Sequence, residues 1–311
     1  MPAASMLIAL AVSRLSCPDR QRKFSRFPPP PVHNAAMRKR VHIALAVLLV
    51  MLAGVIAWQA MRQREPVYQG KRLSVWLEVL NRERTPSHPD DRVAQAIRHM
   101  GTNALPVLIE RLHGQDTRLK QLMVAWTDKQ ERFPFHLKSA DQCRSEAISG
   151  YQALGPLASS QVPRLTDMLE HDPFPNARQA AAQVLGFIGP EARGAAPALF
   201  RATKDKASGV RSAALFALGR IQPDAEMTIP VLVAGLDDPH PGAQWQAAIA
   251  LGQYGPEARA ALPALLRTLA TNRARALAAG ADLPPHDSFN DAFRSALKAI
   301  DPEAAAKAGV K

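Results

Sequence analysis

The sequence predicts an all-α protein, an α-solenoid of about six helix pairs preceded by one transmembrane helix. Two markers carry the solenoid. The motif Val184-Leu-Gly-Phe-Ile-Gly-Pro190 returns as Ala217-Leu-Gly-Arg-Ile-Gln-Pro223 and Ala250-Leu-Gly-Gln-Tyr-Gly-Pro256, with a looser copy at Gly150-Tyr-Gln-Ala-Leu-Gly-Pro156. Its prolines stand 34, 33 and 33 residues apart, and a second series, Pro163, Pro197, Pro230 and Pro263, keeps step. A period in the thirties is the signature of stacked helix pairs, each burying its apolar face on its neighbours. The transmembrane helix rests on the run from Val41 to Trp58, whose only polar member is His42 at its edge.

Residues 1–40 hold Arg14, Arg20, Arg22, Lys23, Arg26 and Arg38 to Arg40, with the proline run Pro28 to Pro31. Proline runs favour extended backbone, and this composition reads as a disordered basic tail. Met37-Arg-Lys-Arg40, directly before the apolar run, has the form of a complete N-terminus, so translation starts at Met1 or at Met37, with residues 1–36 a gene-model extension in the second case. Residues 41–61 form the anchor: the 18 residues from Val41 to Trp58 would span about 27 Å as a helix, close to the hydrocarbon thickness of a bilayer. Arg38 to Arg40 on one flank favour the N-terminus inside and the repeats outside, periplasmic or extracellular. The alternative is a signal peptide and a secreted repeat protein, although Ala57-Trp-Gln-Ala60 lacks a clean small-x-small cleavage site.

Residues 62–90 read as a linker and an N-terminal capping helix, with Ser74 placed as its N-cap and Val75, Trp76, Val79 and Leu80 on its apolar face. Residues 91–311 are the solenoid. The distances from Pro106 to Pro163 and from Pro256 to Pro302, 57 and 46 residues, exceed one period and place insertions near 116–141 and 272–289. Asp291 to Ala308 reads as a more polar terminal repeat.

Within a repeat, Gly155, Gly189 and Gly255 end the first helix with positive φ and the following proline cannot continue it. Gln222 takes this place in one copy, where the turn must be built differently. Gly186, Gly219 and Gly252 sit inside the helix, where glycine is unfavourable unless a neighbouring backbone needs the room. Pro163, Pro197, Pro230 and Pro263 fall at the start of the second helix, where a missing N–H is tolerated. That helix is expected to bury Leu199 and Phe200, or Leu265 and Leu266, and to leave a strip that includes Met168, Ala198, Arg201, Ala202, Arg267 and Thr268 open to a ligand.

Asp172 and Arg178, Asp205 and Arg211, and Asp238 and Gln244 all stand six apart, linking the turn after one repeat to the first helix of the next. Together with the Gly-Pro motif these residues resemble the HEAT-repeat family, in particular bilin-lyase-like repeats, over residues 91–309. The Gly-Lys-x-Leu-Ser-x-Trp-Leu stretch at 70–77 resembles one found in exported bacterial HEAT-repeat proteins. The resemblance implies that Asp172, Arg178, Asp205, Arg211 and Asp238 form a structural ladder, and Gln244 departs from its pattern.

Charge narrows the function. The net charge is +12, but residues 1–72 hold 12 Lys/Arg against Asp19 and Glu65. Residues 73–311 therefore carry 27 Lys/Arg against 25 Asp/Glu, which argues against a nucleic-acid surface. The two cysteines, Cys17 and Cys143, flank the apolar run, so neither a disulfide framework nor a thiolate zinc site is expected. None of the nine histidines precedes a glutamate, unlike the paired His-Glu metal motifs of HEAT-type hydroxylases. The reading is a membrane-anchored scaffold or protein-binding module without metal, cofactor or catalytic residues. Trp126, Phe133 and Phe135 of the first insertion, with Arg201 and Arg267, are its candidate partner contacts. A HEAT-like enzyme related to bilin lyases is the alternative.

Overall fold

A computed structural model describes residues 42–43, 45–54, 65–82, 91–128, 137–278 and 288–309. The chain divides into two compact units, Met1–Arg62 and Gln63–Lys311. In the first, residues 45–54 form a helix, α1, with all its side chains exposed. Among the described residues no helix is long and apolar enough to cross a membrane. The expected anchor lies only partly among them, since residues 41, 44 and 55–61 fall outside.

The second unit opens with a short antiparallel hairpin, β1 (Val67–Tyr68) and β2 (Lys71–Arg72). Gln69 and Gly70, at φ 49° and 73°, make its two-residue turn. Helix α2 (Leu73–Arg82) follows, with Leu73, Trp76 and Leu77 buried. Trp76 Nε1 donates to the Tyr68 carbonyl at 3.2 Å, and Tyr68 stacks on His99 at 5.1 Å. Ser74 is not the N-cap. It lies inside α2, and its N–H is taken by the Glu65 carboxylate at 3.2 Å, so a side chain nine residues upstream caps this helix.

Helix pairs then repeat. The first helices are α3 (Asp91–Met100), α6 (Ala140–Leu154), α8 (Pro175–Ile188), α10 (Ser208–Ile221), α12 (Pro241–Tyr254) and α14 (Ser288–Ile300). The second helices are α4 (Leu105–His113), α7 (Val162–His171), α9 (Ala196–Ala202), α11 (Ala225–Gly235), α13 (Leu262–Ala278) and the short α15 (Pro302–Lys307). Helix α5 (Arg118–Asp128) occupies the first insertion, and the second begins as a continuation of α13. The described residues are thus all-α apart from the hairpin, and the helix pairs stack as a solenoid.

The interior glycines are where consecutive first helices meet. A Cβ built on Gly186 would stand 3.0 Å from Ala217 Cα, one on Gly219 2.8 Å from Ala250 Cα, and one on Gly252 3.0 Å from Ala296 Cα. In each case the added methyl group would meet backbone, which no rotamer change can move. Gly155, Gly189 and Gly255 hold φ of 54°, 81° and 57° with ψ near −130° to −145°, outside the left-handed helical well. The proline that follows each one disfavours helical ψ, and glycine alone reaches this conformation readily. Each opens a seven-residue 3₁₀ segment, whereas Gly101 opens one of four, which accounts for the shorter first repeat.

The repeat with Gln222 is built differently. Gln222 adopts the left-handed helical conformation, φ 49° and ψ 65°, and its amide donates to the Gln253 carbonyl at 2.7 Å. Asp224 then caps α11, accepting from the Glu226 N–H at 2.9 Å. With the 3₁₀ segment gone, α11 starts early and Pro230 lies in its interior rather than its first turn. The expected ligand strip is also narrower than the helical period implied. Met168, Ala198, Ala202, Ala264 and Thr268 are buried, because each second helix packs on the first helix of the next repeat.

These contacts predict unequal effects of one added methyl group. Gly219→Ala should lower stability by about 1–3 kcal/mol through overpacking. Gly194→Ala, where a Cβ meets nothing within 4 Å, should cause no loss. Denaturant midpoints of the two variants compare them directly; equal midpoints would refute the close approach of α10 and α12.

Candidate functional site

The residues at six-residue spacing come together along one edge of the stack. Asp205 accepts both Nε and Nη2 of Arg178 at 2.9 Å, while Arg178 Nη1 donates to the Asp172 backbone carbonyl at 2.9 Å. The next rung repeats this. Arg211 donates to the two Asp238 oxygens at 2.6 and 2.8 Å and to the Asp205 carbonyl at 3.0 Å. Each arginine therefore binds the backbone of the turn six residues before it and the side chain 27 residues after it. The aspartates also hold their own turns: Asp172, Asp205 and Asp238 accept the N–H two residues on, from Phe174, Ala207 and His240.

At Gln244 the ladder changes chemistry without stopping. Its amide donates to the Asp238 carbonyl at 2.7 Å, and its oxygen accepts from Asn272 at 3.2 Å. A neutral amide pair replaces the guanidinium and carboxylate. At the other end stands Arg144, one period before Arg178, which the six-residue spacing missed because the insertion separates it from its turn. Arg144 is buried and donates to the carbonyls of Leu112 at 3.0 Å and Gly114 at 2.8 Å, and it pairs with Asp141. Asp172 meets His113 Nδ1 at 2.7 Å in place of an arginine.

The insertion is closed by the same device. In regular repeats an aspartate accepts the N–H two residues later; Asp116 accepts the N–H of Ala140, 24 residues later, at 2.7 Å. Nearby, five charged residues form a chain. Glu65 meets Arg111 at 3.2 Å, Arg111 meets Glu146 at 3.0 Å, Glu146 meets Lys138 at 2.7 Å, and Lys138 meets Glu78 at 3.2 Å. This network ties residue 65, α2, α4, α6 and the end of the insertion together, and no local pattern announced it.

Electrostatics follow the geometry. Burial pushes the Asp205 carboxyl up, but hydrogen bonds from Arg178 and the Ala207 N–H, with the charges of Arg178 and Arg211, outweigh it and hold it below its ordinary 3.8. For Asp238 the hydrogen bonds from Arg211 dominate over burial and lower it likewise. Burial pushes Glu65 up, and the bonds from Ser74 and the Arg111 guanidinium overcome it. Burial pulls the Lys138 ammonium down, and Glu146 and Glu78 raise it above its usual value.

The candidate partner contacts are scattered. Arg201 on α9 pairs with Glu170 on α7, and Arg267 on α13 meets Asp237 in the turn after α11 at 3.2 Å, so both arginines bridge to the preceding repeat from exposed positions. Arg201 also borders an open groove of about 570 Å³ with Glu170, His171, Lys204 and Lys206. Trp126 lies on α5, exposed and away from Arg201 and Arg267 in sequence. Phe133 and Phe135 lie outside the described residues. Among the described residues no group of three or more His, Cys, Asp or Glu side chains is placed to hold a metal.

The sequence profile of the family described as HEAT repeats matches residues 162–235 and 210–282. These residues carry HEAT repeats. No curated protein matches the chain. Among solved structures, an engineered protein is similar with 18% identity over 76% of this chain and 97% of its own, at a TM-score of 0.35. The complex of CpcE and CpcF of phycocyanin lyase from Nostoc is similar with 21% identity over 78% of this chain and 95% of the other, at a TM-score of 0.34.

Two predictions test the ladder. Arg211→Ala should destabilise the HEAT repeats by about 1.5–3 kcal/mol, since it strips charge-assisted bonds from a half-buried carboxylate and a turn carbonyl. Arg259→Ala, whose partner Asp301 is met by a side chain 69% exposed, should give a clearly smaller shift in the same denaturant titration. The second concerns pH. A carboxyl lowered in the folded state adds stability that is complete above its unfolded value, near 3.8, and is lost as pH falls through the lower folded value. Asp238→Asn should therefore weaken the protein at neutral pH and flatten the decline of its stability between about pH 5 and about pH 2. Parallel pH profiles of variant and wild type would contradict the assignment.

Proposed function

We propose that this chain is a membrane-anchored HEAT-repeat scaffold that binds protein partners on the non-cytoplasmic side. The observation that supports binding is the open groove where α7 and α9 bring side chains of two repeats together, with Glu170, His171, Arg201, Lys204 and Lys206 at its border. A groove shared by successive repeats recurs along a solenoid and suits an extended partner. Its Arg201–Glu170 pair is exposed on the arginine side, so exchanging it for a partner's charges incurs little desolvation. The anchor is supported by the sequence alone: the apolar run from Val41 to Trp58, with Arg38 to Arg40 before it. The role assigned to the repeats is binding rather than chemistry, and it rests on the repeat architecture.

Photo-cross-linking residues placed at 201 and 267 should give adducts with one set of partners in cells, and a cross-linker at 194 should not. Protease added to spheroplasts should digest the repeats. Complete protection would put the repeats on the cytoplasmic side, and identical adducts at 194, 201 and 267 would remove the groove from the reading.

A further inference from the structure

The repeat that contains α9 carries three cations that the solenoid does not call for. Arg201, Lys204 and Lys206 stand where Met168, His171 and Pro173 do one period earlier, and where Ala234, Asp237 and Pro239 do one period later. The neighbouring repeats build the same turn around Asp172 and Asp238 without Lys or Arg at these positions, so packing does not explain the charge.

All three side chains are exposed. Arg201 pairs with Glu170, whereas neither Lys204 nor Lys206 forms an ion pair among the described residues. They border the groove of about 570 Å³ between α7 and α9, a size typical of ligand-binding clefts. A second groove of about 320 Å³, between α4 and α7, shares His171 and Asp172 with it and adds Arg164. Arg164 is likewise exposed and outside any ion pair among the described residues.

The aspartates beneath these cations are already committed. Asp205 accepts two nitrogens of Arg178 and the Ala207 N–H. The Asp172 side chain, 1% exposed, accepts the Phe174 N–H and meets His113. What stands open to a ligand is therefore four cations, Arg164, Arg201, Lys204 and Lys206, against two carboxylates, Asp167 and Glu170. Ala198 and Ala202 line the floor between them, where small side chains let an extended backbone pass closely. Among the described residues that line the two grooves there is no Phe, Tyr or Trp, the platform on which single-stranded nucleic acid stacks its bases.

We propose that the groove across α4, α7 and α9 recognises an extended acidic segment of the protein partner, with Arg164, Arg201, Lys204 and Lys206 as its carboxylate contacts. It rests on the binding reading above and names the chemistry of the partner. Exposed charges of this kind select the partner and speed its approach, and salt screens them.

The test uses the full chain in an uncharged detergent and the fluorescence anisotropy of two labelled peptides, one alternating Glu and Ala, the other Lys and Ala. The acidic peptide should bind saturably and the basic one should not, with affinity falling about fivefold or more between low and physiological salt. Lys204→Gln with Lys206→Gln should weaken binding about fivefold or more at an unchanged denaturant midpoint, and Lys298→Gln, an exposed lysine on α14, should leave it unchanged. Equal affinity for the two peptides, no binding of the acidic one up to about 1 mM, or an unaltered affinity in the double variant overturns the proposal. So does tighter binding of single-stranded DNA than of the acidic peptide, which would assign the cations to phosphate. Cellular cross-links at 201 keep the two readings apart. Adducts that persist in the double variant, with no acidic-peptide binding, leave the groove a binding surface and remove its preference for acid; peptide binding without adducts in cells does the opposite.

Discussion

The close approach of consecutive first helices at Gly186, Gly219 and Gly252 is the constraint on which the rest of the stack depends. Without side chains at these points the backbones of α8, α10, α12 and α14 meet directly. The faces around them are then lined by small residues: Ala181, Ala182, Ala214, Ala217, Ala247, Ala248 and Ala250 are all buried. Small side chains contribute little apolar area each, so stability here comes from many short-range contacts rather than from a few large anchors. Such a surface has little room to adjust, and an extra methyl group has nowhere to go.

That spacing sets what the edge charges can do. Arg178 and Arg211 each reach a carboxylate 27 residues away because successive repeats sit close and in constant register. The bidentate geometry uses the planar guanidinium fully, and the third nitrogen binds a turn carbonyl that would otherwise lack a partner. The aspartate contributes twice, bracing its own turn and receiving the neighbouring arginine. Where a long segment is inserted, Asp116 closes the gap through Ala140 and Arg144 finds the carbonyls of Leu112 and Gly114, so the insertion changes the connection and leaves the stack intact. The insertion carries α5.

The network from Glu65 to Glu78 has a related consequence. It fastens Glu65 to α2, α4, α6 and the end of the insertion, with Glu146 and Arg111 at its centre. Burial alone would disfavour these charges, and they persist because each has more than one partner.

What the sequence by itself determined was everything with a period. The helix pairs, the glycines with positive φ, the interior glycines and the arginines and aspartates of the ladder repeat every 33 or 34 residues, because each repeat solves the same packing problem with the same neighbours. What only the tertiary structure decided was where that period fails. Glu65 caps α2 across nine residues, Arg144 is a rung hidden by an insertion, and Gln222 moves the start of α11 and puts Pro230 inside a helix. The burial of Met168, Ala198 and Thr268 depends on the next repeat, which a single helix's periodicity does not contain. Trp126 was noticed in the sequence, but its exposure on α5 was not legible there. An amphipathic pattern reads the same whether its apolar face meets a core or the surroundings, and only the placement of the rest of the chain distinguishes them.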